Sequence, residues 1–250
     1  MLIQNIKKLN KNKYKVIIGD RELILYEDVL IKYKVLSKKN MDNKLLKDIE
    51  KDNEFIEIYE TSLRYLDIKM RLEKELRGYL DNKFDLKSIE KVIKKLKKEG
   101  YIDDSKYVKS YISDKINLSN DGPHKIKKDL INKGVKEELI IMDVDSSILK
   151  DKLKRIMQKY ININKKNSLN VIKNKVMNHF TILGYDKEMI EEVFNSLDIK
   201  GNSEKIKTDY EKIKNKYSKK YSDYKLESII KQKLYQKGYS IDEINSFVEE

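Results

Sequence analysis

The sequence predicts a mainly α-helical fold: tandem three-helix repeats forming an elongated, curved solenoid, with a small β-hairpin at the N-terminus. Three observations predict it. Chain breakers are scarce, with 8 Gly and 1 Pro in 250 residues, which disfavours loop-rich and many-turned β folds. Apolar residues recur three or four apart over most of the chain, the period of a helix with one buried face. An anchor of a bulky apolar residue, two variable residues, Lys and Gly recurs down the sequence, the signature of a repeat architecture.

The elements follow in order. Tyr14–Ile18 is β-prone, Gly19 and Asp20 can turn, and Glu22–Tyr26 completes a hairpin. Asp28–Lys34 and Asp42–Lys51 read as two short helices, the second capped by its leading Asp. With the hairpin they form an N-terminal segment, 1–52. Beyond it the anchor appears as Leu130 to Lys133-Gly134 and Leu234 to Lys237-Gly238, with Leu183 for Lys before Gly184 and Phe84 for Gly after Lys83. Successive anchors lie 50, 50 and 54 residues apart. Each closes a helix with spaced apolar residues: Leu72, Leu76 and Leu80; Ile126 and Leu130; Val176 and Phe180; Ile230 and Leu234. The Gly suits a left-handed helix terminus. Acidic helix starts follow at Lys136-Glu137-Glu138, Asp186-Lys187-Glu188 and Ser240 to Glu243, where carboxylates complement the helix dipole. A further helix precedes each anchor helix: Glu54–Leu66, Ser105–Ile116, Leu149–Tyr160 and Glu204–Tyr217. The expected units are 53–102, 103–148, 149–198 and 203–250. Each buries little surface alone and gains from stacking on its neighbours.

Several classes of chemistry lack their residues. With no Cys there is no disulfide framework, thiolate metal site or cysteine nucleophile. His124 and His179 show no metal-ligand spacing, and no phosphate-binding loop or dinucleotide fingerprint occurs. Asp103-Asp104 could bind a metal or move protons, but their place just before a helix reads as an N-cap. No catalytic residue, cofactor or metal is expected, and the chain is expected not to be an enzyme. No long apolar run or signal-peptide core is present, so the expectation is a cytoplasmic protein without a membrane partner.

A net charge of +13 points to a polyanion or an acidic protein surface as partner. Lys is abundant everywhere, however, at 50 Lys to 5 Arg. Scarce Arg argues against sequence-specific readout of guanine. One cluster stands out. Residues 150–180 carry Lys150, Lys152, Lys154, Arg155, Lys159, Lys165, Lys166, Lys173 and Lys175 against one acid, Asp151, whereas 181–203 carry two Lys and five acids. The cluster is either an anion-facing patch or a solvated face. Arg64, Arg71 and Lys74 can share a second face if their helices meet, and Arg grips carboxylate or phosphate with a rigid fork. Lys94, Lys95, Lys97 and Lys98 ring their helix and read as solvated. The 17 Tyr, Tyr101, Tyr107 and Tyr111 among them, read as packing residues rather than base-stacking ones.

The anchors and their surroundings resemble the RecX regulatory protein family. Tyr65 to Leu76 is similar to that family's Leu, Arg-x-Arg, Glu-Leu segment, with Lys69 at the first Arg. Leu96 to Gly100-Tyr101-Ile102-Asp103-Asp104 matches a helix end followed by Gly-Tyr-Leu-Asp-Asp, and Gly122-Pro123 opens the helix leading to Lys133-Gly134. The hairpin with Tyr14 and the segment Glu27 to Leu30 resemble the longer Gram-positive members. The likeness is good over 1–140; beyond that the repeat anchors carry it.

The resemblance implies a modulator of the RecA recombinase, and such members usually inhibit. They bind the RecA–DNA filament, lie in its groove, and suppress strand exchange, ATP hydrolysis and co-protease activity. The partner expected is therefore the RecA filament, with weak, non-specific affinity for single- or double-stranded DNA, and the chain is expected as a monomer. The alternative is a helical repeat protein that coats nucleic acid without sequence preference; a general protein scaffold is a third reading.

Overall fold

The computed structural model describes residues 1–164, 167–197, 199 and 203–248. The chain divides into two compact units, Met1–Lys109 and Ser110–Glu250.

The first unit opens with three antiparallel strands, β1 (Ile3–Lys8), β2 (Lys13–Ile18) and β3 (Arg21–Tyr26), in that spatial order. Gly19, at φ +57°, makes the tight β2–β3 turn. The expected hairpin is thus only part of a sheet, and β1 corrects it. Its apolar residues, Ile3 and Ile6, stand three apart rather than two. A register shift between Ile3 and Asn5 turns both toward the core, where they pack half-buried. The irregularity that makes the strand usable also hides its period.

Helices α1 (Glu27–Lys32) and α2 (Asn43–Asp67) cover the sheet. The core here is Val16, Ile18, Leu25, Leu30, Leu46 and Ile49, with neighbours. Asp42 caps α2 by accepting from the Leu45 N–H at 2.7 Å. The two helices expected over 42–51 and 54–66 are this one continuous helix, so the division at 52/53 falls inside it. No Gly or Pro interrupts the run, and Asn53 has a task within it. Its Oδ1 accepts from the Tyr26 N–H at 2.8 Å and its Nδ2 donates to the Ile24 carbonyl at 2.9 Å. A mid-helix amide thereby ties α2 to the outer strand β3, whose backbone would otherwise be an open edge.

The second half of α2 packs on α3 (Glu73–Asp81) and α4 (Leu86–Lys98) around Ile58, Leu76, Leu80, Ile89, Val92 and Leu96. The Asp103-Asp104 pair serves helix starts. Asp103 accepts from the N–H groups of Ser105 and Lys106, and Asp104 accepts from the Glu73 N–H at the start of α3 at 2.9 Å.

Helix α5 (Asp104–Leu118) spans the division between the units. The second unit continues with α6 (Pro123–Asn132), α7 (Ser146–Asn164), α8 (Leu169–Ile182) and α9 (Lys187–Asn195). It ends with α10 (Ser203–Tyr217), α11 (Asp223–Gln236) and α12 (Ile241–Val248). The last two three-helix groups have their own cores, centred on Leu153, Val176, Phe180 and Ile190, and on Ile213, Ile230, Leu234 and Ile244. The helix expected from Lys136 is a correction: Glu137–Leu139 form a single 3₁₀ turn, and the chain then runs on with Ile140 buried and Ile141 exposed.

The Lys-Gly anchors close helices as the glycines require. Gly134, Gly184 and Gly238 sit at φ +89°, +88° and +87°, and the following N–H of Val135, Tyr185 and Tyr239 reaches back to Leu130, Phe180 and Leu234. Gly100 ends α4 in the same way. Phe84 needs no glycine, because α3 ends without a left-handed residue: the Phe84 N–H returns to the Leu80 carbonyl, and Asp85 then caps α4.

Candidate partner-binding face

The basic cluster separates into three groups. Lys152 is buried, 7% exposed. Its ammonium donates to the carbonyls of Asp121 at 3.1 Å and Lys115 at 3.4 Å, and burial lowers its pKa. It fastens α7 to the last turn of α5 and the segment that follows, and leaves the expected patch, because its charge is enclosed by backbone. Lys150 and Lys173 lie over α9, paired with Glu192 at 2.6 Å and Glu191 at 2.7 Å. Lys175 donates to the Asn164 side chain. Lys165 and Lys166 lie outside the described residues.

Lys154, Arg155 and Lys159 are exposed and form no ion pair among the described residues. Arg155 and Lys159 stand four apart on α7, hence on one face. That face also carries Ile148, 54% exposed, and Ile163, 82% exposed. At its N-terminal end lies a hollow of about 370 Å³ with Ile116 and Asn117 of α5 opposite Ile148 and Arg155. The face therefore combines cations and uncovered apolar side chains, which suits a protein surface with acidic residues. Sequence reading by charge missed the isoleucines. Their signal is that they fall outside the buried stripe of Leu149, Leu153, Met157 and Ile161.

The second expected face is placed on the first unit. Arg71 lies over the Tyr65 ring at 4.3 Å, Tyr65 stacks on Tyr79 at 4.1 Å, and Lys83 covers the far side of Tyr79 at 3.9 Å. Two cations thus enclose two aromatic rings, which holds the end of α2 to α3. Arg64 and Lys74 are exposed. Arg64 joins Arg71 in a hollow at the end of α2, while Lys74 is not among its lining residues.

Sequence periodicity did not reveal the joint between repeats. The Gly122 N–H donates to the Leu183 carbonyl at 2.6 Å and the His124 N–H to the Gly184 carbonyl at 3.0 Å. A Cβ on Gly122 would stand 2.5 Å from the Gly184 carbonyl group, and one on Gly184 would stand 2.4 Å from the Lys125 nitrogen. The Gly-Pro element and the Leu183-Gly184 anchor of the following repeat are therefore one backbone contact, flanked by His124 Nε2 and Asp186 Oδ1 at 2.7 Å. A related joint follows one repeat on, where Ser168 donates to the Lys237 carbonyl beside Gly238.

Among the described residues, no group of three His, Asp or Glu is placed to hold a metal ion, and no helix is long and apolar enough to cross a membrane.

Comparison with known proteins places this architecture. The first, second and third three-helix domains of RecX match residues 59–96, 103–140 and 203–248. A protein of Streptococcus agalactiae serotype Ia named Regulatory protein RecX is 31% identical over 254 residues, spanning 98% of both chains. One of the same name from Oceanobacillus iheyensis is 27% identical, spanning 98% of this chain and 95% of its own. In fold, a crystal structure of regulatory protein RecX superposes with a TM-score of 0.65 at 23% identity, covering 78% of this chain and 98% of that one. RecX from Lactobacillus salivarius gives 0.57 at 24%, covering 60% and 99%. With three of its three-helix groups matched in order and a named relative aligned end to end, the chain belongs to the RecX family of regulatory proteins.

Proposed function

We propose that this protein binds the RecA–DNA filament in the cytoplasm and restrains it, lowering strand exchange, ATP hydrolysis and co-protease activity without chemistry of its own. The observation that carries the reading is the end-to-end similarity to proteins named as regulatory. The mixed face of α7 supplies a means. Arg155 and Lys159 offer cations to carboxylate or phosphate, and Ile148 and Ile163 offer apolar area that a bare nucleic-acid backbone would not cover. Several repeats touching neighbouring subunits of one filament would gain from effective concentration and so favour filament over free recombinase.

The test is ATP hydrolysis by RecA of the same organism on single-stranded DNA, with this protein titrated in. The reading expects inhibition well below one copy per RecA subunit, because one bound copy then acts on many. Inhibition only at concentrations that coat the DNA would instead support the non-specific nucleic-acid-binding reading, and no effect at any ratio would remove both.

A further inference from the structure

The end of α2, the connection to α3 and the turn that follows α4 surround a hollow of about 550 Å³ in the first unit. Its walls are apolar at Leu63, Leu66 and Met70, aromatic at Tyr101, and cationic at Arg64 and Arg71. Tyr101 is unusual among its counterparts. It follows the left-handed Gly100, as Val135, Tyr185 and Tyr239 follow their glycines. Those three are 6%, 2% and 3% exposed, whereas Tyr101 is 53% exposed and lines the hollow. The residue that normally seals a helix end onto its core is here left uncovered.

The guanidiniums have unused capacity. Arg71 lies over the Tyr65 ring, its Nε is enclosed with no hydrogen-bond partner, and its ion pair to Glu75 is long at 3.8 Å. Arg64 donates to the Thr61 hydroxyl at 3.2 Å. Neither pairs with Asp67, which also lines the hollow. Two guanidiniums beside an apolar wall, one of them packed on an aromatic ring, fit a carboxylate attached to an apolar segment. The carboxylate of Asp67 opposes a continuous row of phosphates.

We propose that this hollow docks an acidic peptide segment of a partner protein, one that sets a carboxylate beside an apolar side chain. The carboxylate meets Arg64 and Arg71, and the apolar group lies against Met70 and Tyr101. The proposal does not depend on which partner carries the segment.

Fluorescence anisotropy of the full chain with a fluorescein-labelled, acetylated peptide of alternating Glu and Leu tests it, with the Gln and Leu version as control. The Glu peptide should bind about tenfold more tightly than the Gln peptide, the effect of losing a charge-assisted hydrogen bond. Arg64→Glu and Tyr101→Ala change exposed residues, so the fold should survive, and each should weaken the Glu peptide. Lys38→Glu with Lys39→Glu, exposed residues that do not line the hollow, should leave it unchanged. Equal binding of the two peptides, or indifference to both hollow variants, overturns the proposal. So does displacement of the peptide by a dT oligonucleotide that itself loses affinity with those variants, which marks a polyanion site. Recombinase is absent from the assay, so its outcome is separate from that of the ATP hydrolysis titration.

Discussion

Asp121 collects three lysines. Its carboxylate accepts from Lys125 at 2.6 Å and Lys115 at 3.0 Å, and its carbonyl accepts from the enclosed Lys152. Burial alone would raise its pKa, but the hydrogen bonds from Lys125 and Lys115 outweigh burial and hold it at about 2, against an ordinary 3.8. A carboxylate depressed in the folded state stabilises fully above its unfolded value and loses that contribution as pH falls through its folded one. The contribution is about 2 kcal/mol at neutral pH and about half that near pH 3. Urea unfolding of wild type and Asp121→Asn should therefore show a gap that narrows by about half between pH 7 and pH 3. A gap that does not narrow with acid would detach Asp121 from its lysines. Lys152 was legible only in part. It stands three residues after Leu149 and beside Leu153, within the buried stripe, yet by charge it reads like Lys154. The carbonyls it binds lie 31 and 37 residues away, and nothing local announces them.

At the scale of the element, the helices were readable because burial imposes a period. Leu72, Leu76 and Leu80, expected on one face, are 2%, 0% and 0% exposed. Where local geometry breaks the period, legibility fails, as at β1 with its register shift and at Glu137–Leu139, where acids suited to a helix start lead only one 3₁₀ turn. The joint at Gly122 and Gly184 was hidden for another reason: it is made of backbone, and backbone contacts at long sequence separation leave no side-chain pattern. The glycines showed as anchors, not as a pair. Gly184→Ala should combine a strained φ of +88° with a Cβ 2.4 Å from backbone, costing about 3 kcal/mol in the second unit. Gly100→Ala meets nothing within 4 Å and carries only the cost of its φ of +79°, about 1 kcal/mol. Thermal unfolding of the two variants side by side distinguishes a packed joint from an ordinary helix end: similar losses would mean the close approach contributes nothing.

At the scale of the whole molecule, a charge of +13 is a poor guide to contact, because its lysines are spread along the chain and several of those that cluster are paired. Of the nine cations counted between 150 and 180, Lys154, Arg155 and Lys159 are exposed without an ion pair among the described residues. Two readings of them separate by experiment. If they neutralise phosphates, reversing all three to Glu lowers affinity for bare single-stranded DNA and flattens its salt dependence, by about 0.7 in log–log slope per lost contact. If Arg155 and Lys159 meet acidic groups on a protein surface beside Ile148 and Ile163, the same variant binds bare DNA nearly as before but loses its hold on the filament. The uncovered isoleucines favour the second, because phosphate offers them nothing. The triple variant is therefore expected to need about tenfold more protein to inhibit RecA ATP hydrolysis, the scale of a lost charge pair at an interface, with bare-DNA affinity changed by less than about twofold. A matched loss of both, with the flattened slope, would move these residues from a protein-facing role to a DNA-facing one. It would also leave Ile148 and Ile163 as exposed apolar residues without a partner.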